Sequence, residues 1–320
     1  MSMMLEPNNE QLKIGLALGS GAARGWSHIG IIKGLAELGI EPEIVCGSSI
    51  GALVGAAYAA DKLDLMESWS RSLTWKEIIR FLDPSLIGGG FIQGEKLTEF
   101  VSEHVEEMEF NQMKRQLGIV ATELESGREV WFRSGPVMEA VRASISLPGL
   151  FTPLQHNGRW LVDGGLANPV PVSLCRAMGA DLVIAVNLNG DILGKHFKRS
   201  SEKAEERKQE SGSMKEGDLI SRVTAQVKNS LGGGKRDLIA RLFGIERETP
   251  GLYDVLASSI NIMQDRITRS RMAGDPPDVI LTPRMSKLGL MEFDKADMGI
   301  TEGMREVERM RPSLKQVFKL

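Results

Sequence analysis

VCGSSIGALVG, Val45 to Gly55, is the stretch that decides the fold. It contains a G-x-S-x-G, Gly47-Ser48-Ser49-Ile50-Gly51. A short apolar strand, Ile44 to Cys46, runs into it, and an Ala/Gly-rich helical stretch, Ser49 to Ala60, leaves it. A serine at a strand-to-helix turn is the setting of a nucleophile elbow. Such a turn is cramped, so its flanks must be small, and Gly47 and Gly51 serve that need. The hydroxyl then projects over a helix N-terminus, where developing negative charge is stabilised. The plainer alternative is a packing turn whose serine only caps the helix. Ser48 would serve as a cap too; Ser49 is the centre of the motif.

Upstream, Lys13 to Gly30 reads KIGLALGSGAARGWSHIG. An apolar strand, Ile14 to Leu18, stops at a loop of small residues, Gly19-Ser20-Gly21-Ala22-Ala23-Arg24-Gly25, and a helix over Ser27 to Leu38 ends at Gly39. Converging backbone N–H groups and a helix N-terminus make such a loop a place for an anion. A dinucleotide fingerprint requires G-x-G-x-x-G, but the sixth position here is Arg24 and the glycine comes one residue late. No acidic residue ends the second strand, where Cys46-Gly47 stand, and no Gly-Lys-Ser/Thr occurs. The loop thus fails the nucleotide fingerprints, and the other anion it could hold is an oxyanion that exists only during a reaction.

A serine nucleophile needs a base. The chain has four histidines: His28, His104, His156 and His196. The Ser, Asp/Glu, His order of an α/β-hydrolase would leave only His196 after Asp163, in a charged stretch low in hydrophobic residues. Surface or structural roles are the better reading for all four. The other candidate is Asp163, in GRWLVDGGLANPVPV: a strand delivers it, and Gly164 and Gly165 permit tight backbone geometry beside a carboxylate. Asp-Gly is also a common turn, but the Asn-Pro-Val-Pro run behind it gives more rigidity than a hairpin tip needs.

Beyond these motifs, strands are predicted at Leu117 to Thr122, Glu129 to Arg133, Leu161 to Val162, Asp181 to Leu188 and Asp278 to Leu281. Helices are predicted at Val137 to Ser146, Pro171 to Met178 and Ile300 to Met310, with a mostly helical pattern from Lys62 to Glu107 broken by GGGFIQGEKL. The alternation means an α/β fold with a mostly parallel sheet between helices. Residues 12–190 form the expected core, 191–250 a polar insertion, and 251–320 a C-terminal part completing the core. Within the insertion, DLIARLFGIERETPGLYDVL is read either as a helix docked on the core or as a lid or interfacial helix touching lipid.

Composition bounds the function. With 320 residues a sizeable core is no difficulty, and a net charge of −3 gives no basic field for nucleic acid. Two cysteines in apolar surroundings, Cys46 and Cys175, fit a reduced, cytoplasmic setting rather than a disulfide framework. No secretory leader is read at the N-terminus, and the apolar run Ile50 to Ala60 is too short to span a bilayer. No metal and no cofactor are expected, and the oligomeric state is left open.

LGSGAARG, GSSIG, ASISLPGLFTPL and VDGGLANPVPV stand along the chain and together resemble the patatin-like phospholipase family, above all its bacterial, RssA-like branch related to neuropathy target esterase. The resemblance covers about residues 12 to 190 and implies a three-layer α/β/α patatin-like fold. It implies a serine lipid acyl hydrolase working through a Ser–Asp dyad without histidine: Ser49 as nucleophile, Asp163 as general base. Gly19, Gly21, Ala23, Arg24 and Gly25 match the family's G-G-G-G-A-R-G loop, and Ser20 and Ala22 depart from it. The implied partner is a lipid or acyl ester, met in transient contact with the inner face of a membrane. Two alternatives stay open: a non-enzymatic regulatory or scaffold module on the same fold, and an esterase or thioesterase for soluble acyl substrates.

Overall fold

The computed structural model describes residues 12–74, 108–191 and 252–319. The chain divides into two compact units, residues 1–191 with 264–320, and residues 192–263. The lid or interfacial helix expected before residue 250 lies outside the described residues, as do GGGFIQGEKL, His104 and His196.

In the first unit, β1 (Ile14–Leu18), β2 (Ile44–Ser48), β3 (Gln116–Glu123), β4 (Glu129–Phe132), β5 (Leu154–His156), β6 (Arg159–Asp163), β7 (Leu182–Val186) and β8 (Val279–Leu281) form one sheet. The order is β5-β6-β3-β2-β1-β7-β8, with β4 also on β3. The five strands from β3 to β8 in that order are parallel, and β4, β5 and β6 add antiparallel pairings at one side. The sheet is thus mixed, with the expected parallel centre.

The helices are α1 (Ser27–Glu37), α2 (Ile50–Ala59), α3 (Leu63–Ser72), α4 (Val137–Ser144), α5 (Val172–Ala177), α6 (Leu252–Gly274) and α7 (Ala296–Phe318). The second unit's described part is the N-terminal half of α6, up to Met263. Alternation along the strands sends side chains to two buried layers. Leu16, Leu18, Val45, Ile184 and Val186 join an apolar cluster with α1, α2 and α7. Ala17, Ile44, Cys46, Val183 and Ala185 join a second one with Leu174 and Cys175 of α5. Both faces being covered, the central strands read as unbroken apolar runs. Every residue of α2 is buried, which suits a helix that is apolar all round.

The C-terminal helices depart most from expectation. α7 runs from Ala296 to Phe318, straight through Pro312, where sequence periodicity gives only Ile300 to Met310. Leu314, beyond the proline, is fully buried, and its packing outweighs the one backbone bond that proline removes. α7 crosses α1 at backbone contact. A Cβ on Gly30 would lie 1.9 Å from the Ile300 carbonyl oxygen, and one on Gly303 would lie 2.1 Å from that of Ser27. Gly30 and Gly34 on one helix and Gly299 and Gly303 on the other give each a G-x-x-x-G at the crossing. The helix over 252–274 has no counterpart in the sequence reading, because it buries polar side chains, among them Gln264, Asp265 and Thr268.

Candidate active site

Two strands meet end to end. β2 runs parallel to β3 and pairs through Ser48 with Val120. β6 runs antiparallel to β3 and pairs through Asp163 with Ala121. β4 pairs with Ile119 to Thr122 and so takes β3's other edge, which leaves β2 and β6 on one edge, running toward each other. Their last residues thus face neighbouring positions on β3. This shared edge carries Ser49 and Asp163 to one place although 114 positions separate them.

Ser49 lies in the turn after β2 with φ +56° and ψ −125°, a backbone state that costs a non-glycine residue roughly 1–3 kcal/mol. The surroundings enforce it: a Cβ on Gly51 would come within 2.1 Å of the Leu18 carbonyl oxygen, so α2 lies directly on β1. The Ser49 N–H donates to Ser144 Oγ at 2.8 Å, and that hydroxyl donates onward to the Val120 carbonyl at 2.6 Å. Ser144 thus ties the turn to β3. It stands in the ASISLPGLFTPL block, whose sequence gave it no role.

Ser49 Oγ donates to Asp163 Oδ2 at 2.5 Å. The carboxylate is fully buried, and its Oδ1 accepts the Gly165 N–H at 2.7 Å. Burial drives its pKa up from 3.8 to about 6, with the bonds from Ser49 and Gly165 pulling the other way. The backbone beside it is also fixed: the Asp163 N–H donates to the Ser146 carbonyl, and Thr122 Oγ1 donates to the Asp163 carbonyl. Gly164 and Gly165 follow in a tight helical turn ending at Leu166.

In the loop, most N–H groups are already spoken for. Gly19 donates to the Val186 carbonyl at 3.1 Å, Ser20 to Pro169 at 2.8 Å, Ala23 to Leu290 at 3.0 Å and Arg24 to Gly21 at 3.2 Å. Those of Gly21 and Ala22 have no hydrogen-bond partner among the described residues. Ala22 takes φ +50°, left-handed backbone that costs an alanine about 1 kcal/mol more than a glycine. The Ser20 hydroxyl is used: it donates to Gln264 Oε1 at 3.1 Å. Arg24 is fully buried, its Nε donating to the Gly21 carbonyl at 3.1 Å, and burial lowers its pKa from 12.5 to about 9.

Neither described histidine bonds to Ser49. His28 is fully buried behind the loop, its Nε2 donating to the Gly19 carbonyl at 2.8 Å. That bond fixes the neutral tautomer with hydrogen on Nε2, and burial lowers the pKa from 6.5 to about 4. His156 pairs through Nδ1 with Glu139 at 2.8 Å on the β5–β6 hairpin. Cys46 and Cys175 are free thiols in the buried core. Among the described residues, no group of three or more His, Cys, Asp or Glu side chains is arranged to hold a metal.

The patatin-like phospholipase family matches residues 16–176. An uncharacterised NTE family protein of Mycobacterium bovis is 35% identical over 313 residues, covering 89% of this chain and 87% of its own. A lysophospholipase of Emericella nidulans is 33% identical over 180 residues, which is 55% of this chain and 12% of that protein. A crystal structure of VipD from Legionella pneumophila aligns with 95% of this chain and 67% of its own at TM-score 0.44 and 15% identity.

Proposed function

This chain belongs to the patatin-like phospholipase family and is a carboxylic ester hydrolase of lipids, and from that premise we propose that it works through a Ser49–Asp163 dyad and an acyl-enzyme. The observation that carries the proposal is the 2.5 Å hydrogen bond from Ser49 Oγ to the buried Asp163 carboxylate. An ester carbonyl enters between Ser49 and the loop. Ser49 Oγ attacks the carbonyl carbon while Asp163 Oδ2 takes its proton. The oxyanion is held by the N–H groups of Gly21 and Ala22, the two that the loop leaves over, and by the N-terminal end of α2. Collapse expels the alcohol, which takes the proton from Asp163. Water then attacks the acyl-enzyme with Asp163 again as base, releasing the fatty acid and restoring Ser49.

An aspartate at its ordinary pKa is a poor base. Burial lifts Asp163 to about 6, nearer the range where a base both stays ionised and accepts a proton. Activity should therefore fall as pH drops through about 6. The substrate is an acyl ester of a membrane lipid or lysolipid, taken by an enzyme that docks transiently at a membrane surface. No described helix is long and apolar enough to cross a membrane. The NTE and lysophospholipase names of the relatives support that substrate class.

The test is hydrolysis of a short-chain aryl ester and of lysophosphatidylcholine by wild type, S49A and D163N, with products identified by mass spectrometry. Each variant should lose about 10³-fold or more in kcat, and S49A should lose labelling by a fluorophosphonate. Wild-type turnover in either variant would overturn the dyad.

A further inference from the structure

We propose that Gln264 is a positioning residue that ties the oxyanion loop to the turn carrying Asp163; this rests on the dyad reading above. Gln264, on α6, is buried. Its Oε1 accepts from the Ser20 hydroxyl at 3.1 Å and from Asn189 Nδ2 at 3.1 Å. One bond reaches the loop after β1, and the other the segment after β7.

The same amide also reaches the aspartate turn. A Cβ on Gly165 would lie 2.5 Å from Gln264 Nε2, 2.8 Å from Ser20 Oγ and 2.9 Å from Asp163 Oδ1. The Gln264 amide, the loop serine and the catalytic carboxylate therefore converge on the bare Cα of one glycine. That glycine's N–H is the one that bonds Asp163 Oδ1. Two turns further along α6, Arg271 Nε donates to the Ala167 carbonyl at 2.8 Å, and its Nη1 pairs with Glu129 at 3.2 Å. α6 thus grips the aspartate turn at two points, and at the upper one it holds the loop as well.

Ser20 gives the arrangement its individual character. The family pattern has glycine at this position, and here a buried hydroxyl occupies it with an acceptor waiting on α6. Truncating Gln264 would leave that hydroxyl and the Asn189 amide buried without their acceptor, and would free the loop to move relative to Asp163. Loop and carboxylate must both be in register when the tetrahedral intermediate forms, so the loss falls on the chemical step rather than on ground-state binding.

The experiment is a double-mutant cycle of Q264A and S20G on aryl ester hydrolysis, with S49A as reference. Q264A should lower kcat about tenfold with KM within about twofold, S20G alone should lower kcat several-fold, and S20G added to Q264A should cost nothing further or restore part of the rate. If Q264A is insoluble, Q264N, which withdraws the acceptor by one methylene, takes its place in the same cycle. A kcat within twofold of wild type, or a double variant whose loss is the product of the single losses, overturns the inference. A silent Gln264 beside an inactive S49A leaves the dyad standing, whereas an active S49A overturns the reading beneath both.

Discussion

The turn at Ser49 is shaped mostly by its own residues, whereas the loop from Gly19 to Gly25 is held in place by segments from the far end of the chain. At the turn, small residues bring α2 onto β1, and one outside hydroxyl, Ser144, steadies the Ser49 N–H. At the loop, Ala23 leans on Leu290, Trp26 Nε1 donates to the Phe293 carbonyl at 3.1 Å, and Ser20 reaches Gln264. The helix that follows the loop, α1, is pressed backbone to backbone on α7. The difference has a mechanical reading. A nucleophile needs one atom placed, which a strained local turn does. The oxyanion hole proposed for the loop needs the Gly21 and Ala22 N–H groups left unbonded, which requires other parts of the chain to occupy the rest.

The largest expected effect tests that dependence. G303L puts a side chain where a Cβ alone would lie 2.1 Å from the Ser27 carbonyl oxygen, and a helix backbone cannot yield as a side chain would. Such overpacking should cost about 3 kcal/mol, read from urea denaturation, and fluorophosphonate labelling should fall although Ser49 is untouched. A G303L protein as stable as wild type would break the comparison, because α1, the helix that follows the loop, would then not rest on α7.

The same contrast explains what was legible in the sequence. Ser49, Asp163 and the loop could be picked out as candidates because each lies in a short stretch whose small residues have a local steric reason. The sheet's parallel centre was readable because strands buried on both faces are apolar throughout, as at Leu182–Val186. Ser144 sat in a recognisable block, but its bond to Ser49 depends on β3 bringing the two together. Gln264 offered no signal at all: a glutamine in a polar helix looks solvated until the loop it faces is known. The G-x-x-x-G pairs of α1 and α7 were present in the sequence, yet small residues at that spacing have meaning only once a partner helix supplies the matching pair. The helix expected over Ile300 to Met310 stops short of Phe318, because local pattern cannot foresee the burial of Leu314 beyond Pro312.

A smaller effect tests the turn's one outside support. S144A removes the acceptor of the Ser49 N–H and leaves that group unpaired in a strained turn. The expected cost is about 2 kcal/mol of stability, with kcat lower by roughly tenfold and KM little changed. Denaturation together with aryl ester kinetics would measure both. A wild-type kcat in S144A would sharpen the contrast, since the turn would then be wholly self-supporting.

The smallest effect separates the two regions by their buried titratable groups, Asp163 at the turn and His28 behind the loop. Burial raises Asp163 from 3.8 to about 6. Between those values the folded chain keeps a proton that the unfolded chain has released. Its contribution to stability is therefore full below about pH 3.8 and is lost as pH rises through about 6. Burial lowers His28 from 6.5 to about 4, so between those values the unfolded chain binds a proton that the folded chain refuses. That contribution is full above about pH 6.5 and is lost as pH falls through about 4. In the wild type the two opposing slopes overlap between about pH 4 and 6 and offset each other. D163N removes the first, so its stability should rise with pH across that window by up to about 1.4 kcal/mol per unit relative to wild type. H28Q removes the second, and its stability should fall with pH by a similar amount. Urea denaturation across the window reads both slopes. If D163N and H28Q shifted in the same direction, the opposed burial of the two groups would be wrong. Opposite shifts would show that burial favours the protonated form of Asp163 at the turn and the neutral form of His28, whose Nε2 bonds the Gly19 carbonyl behind the loop.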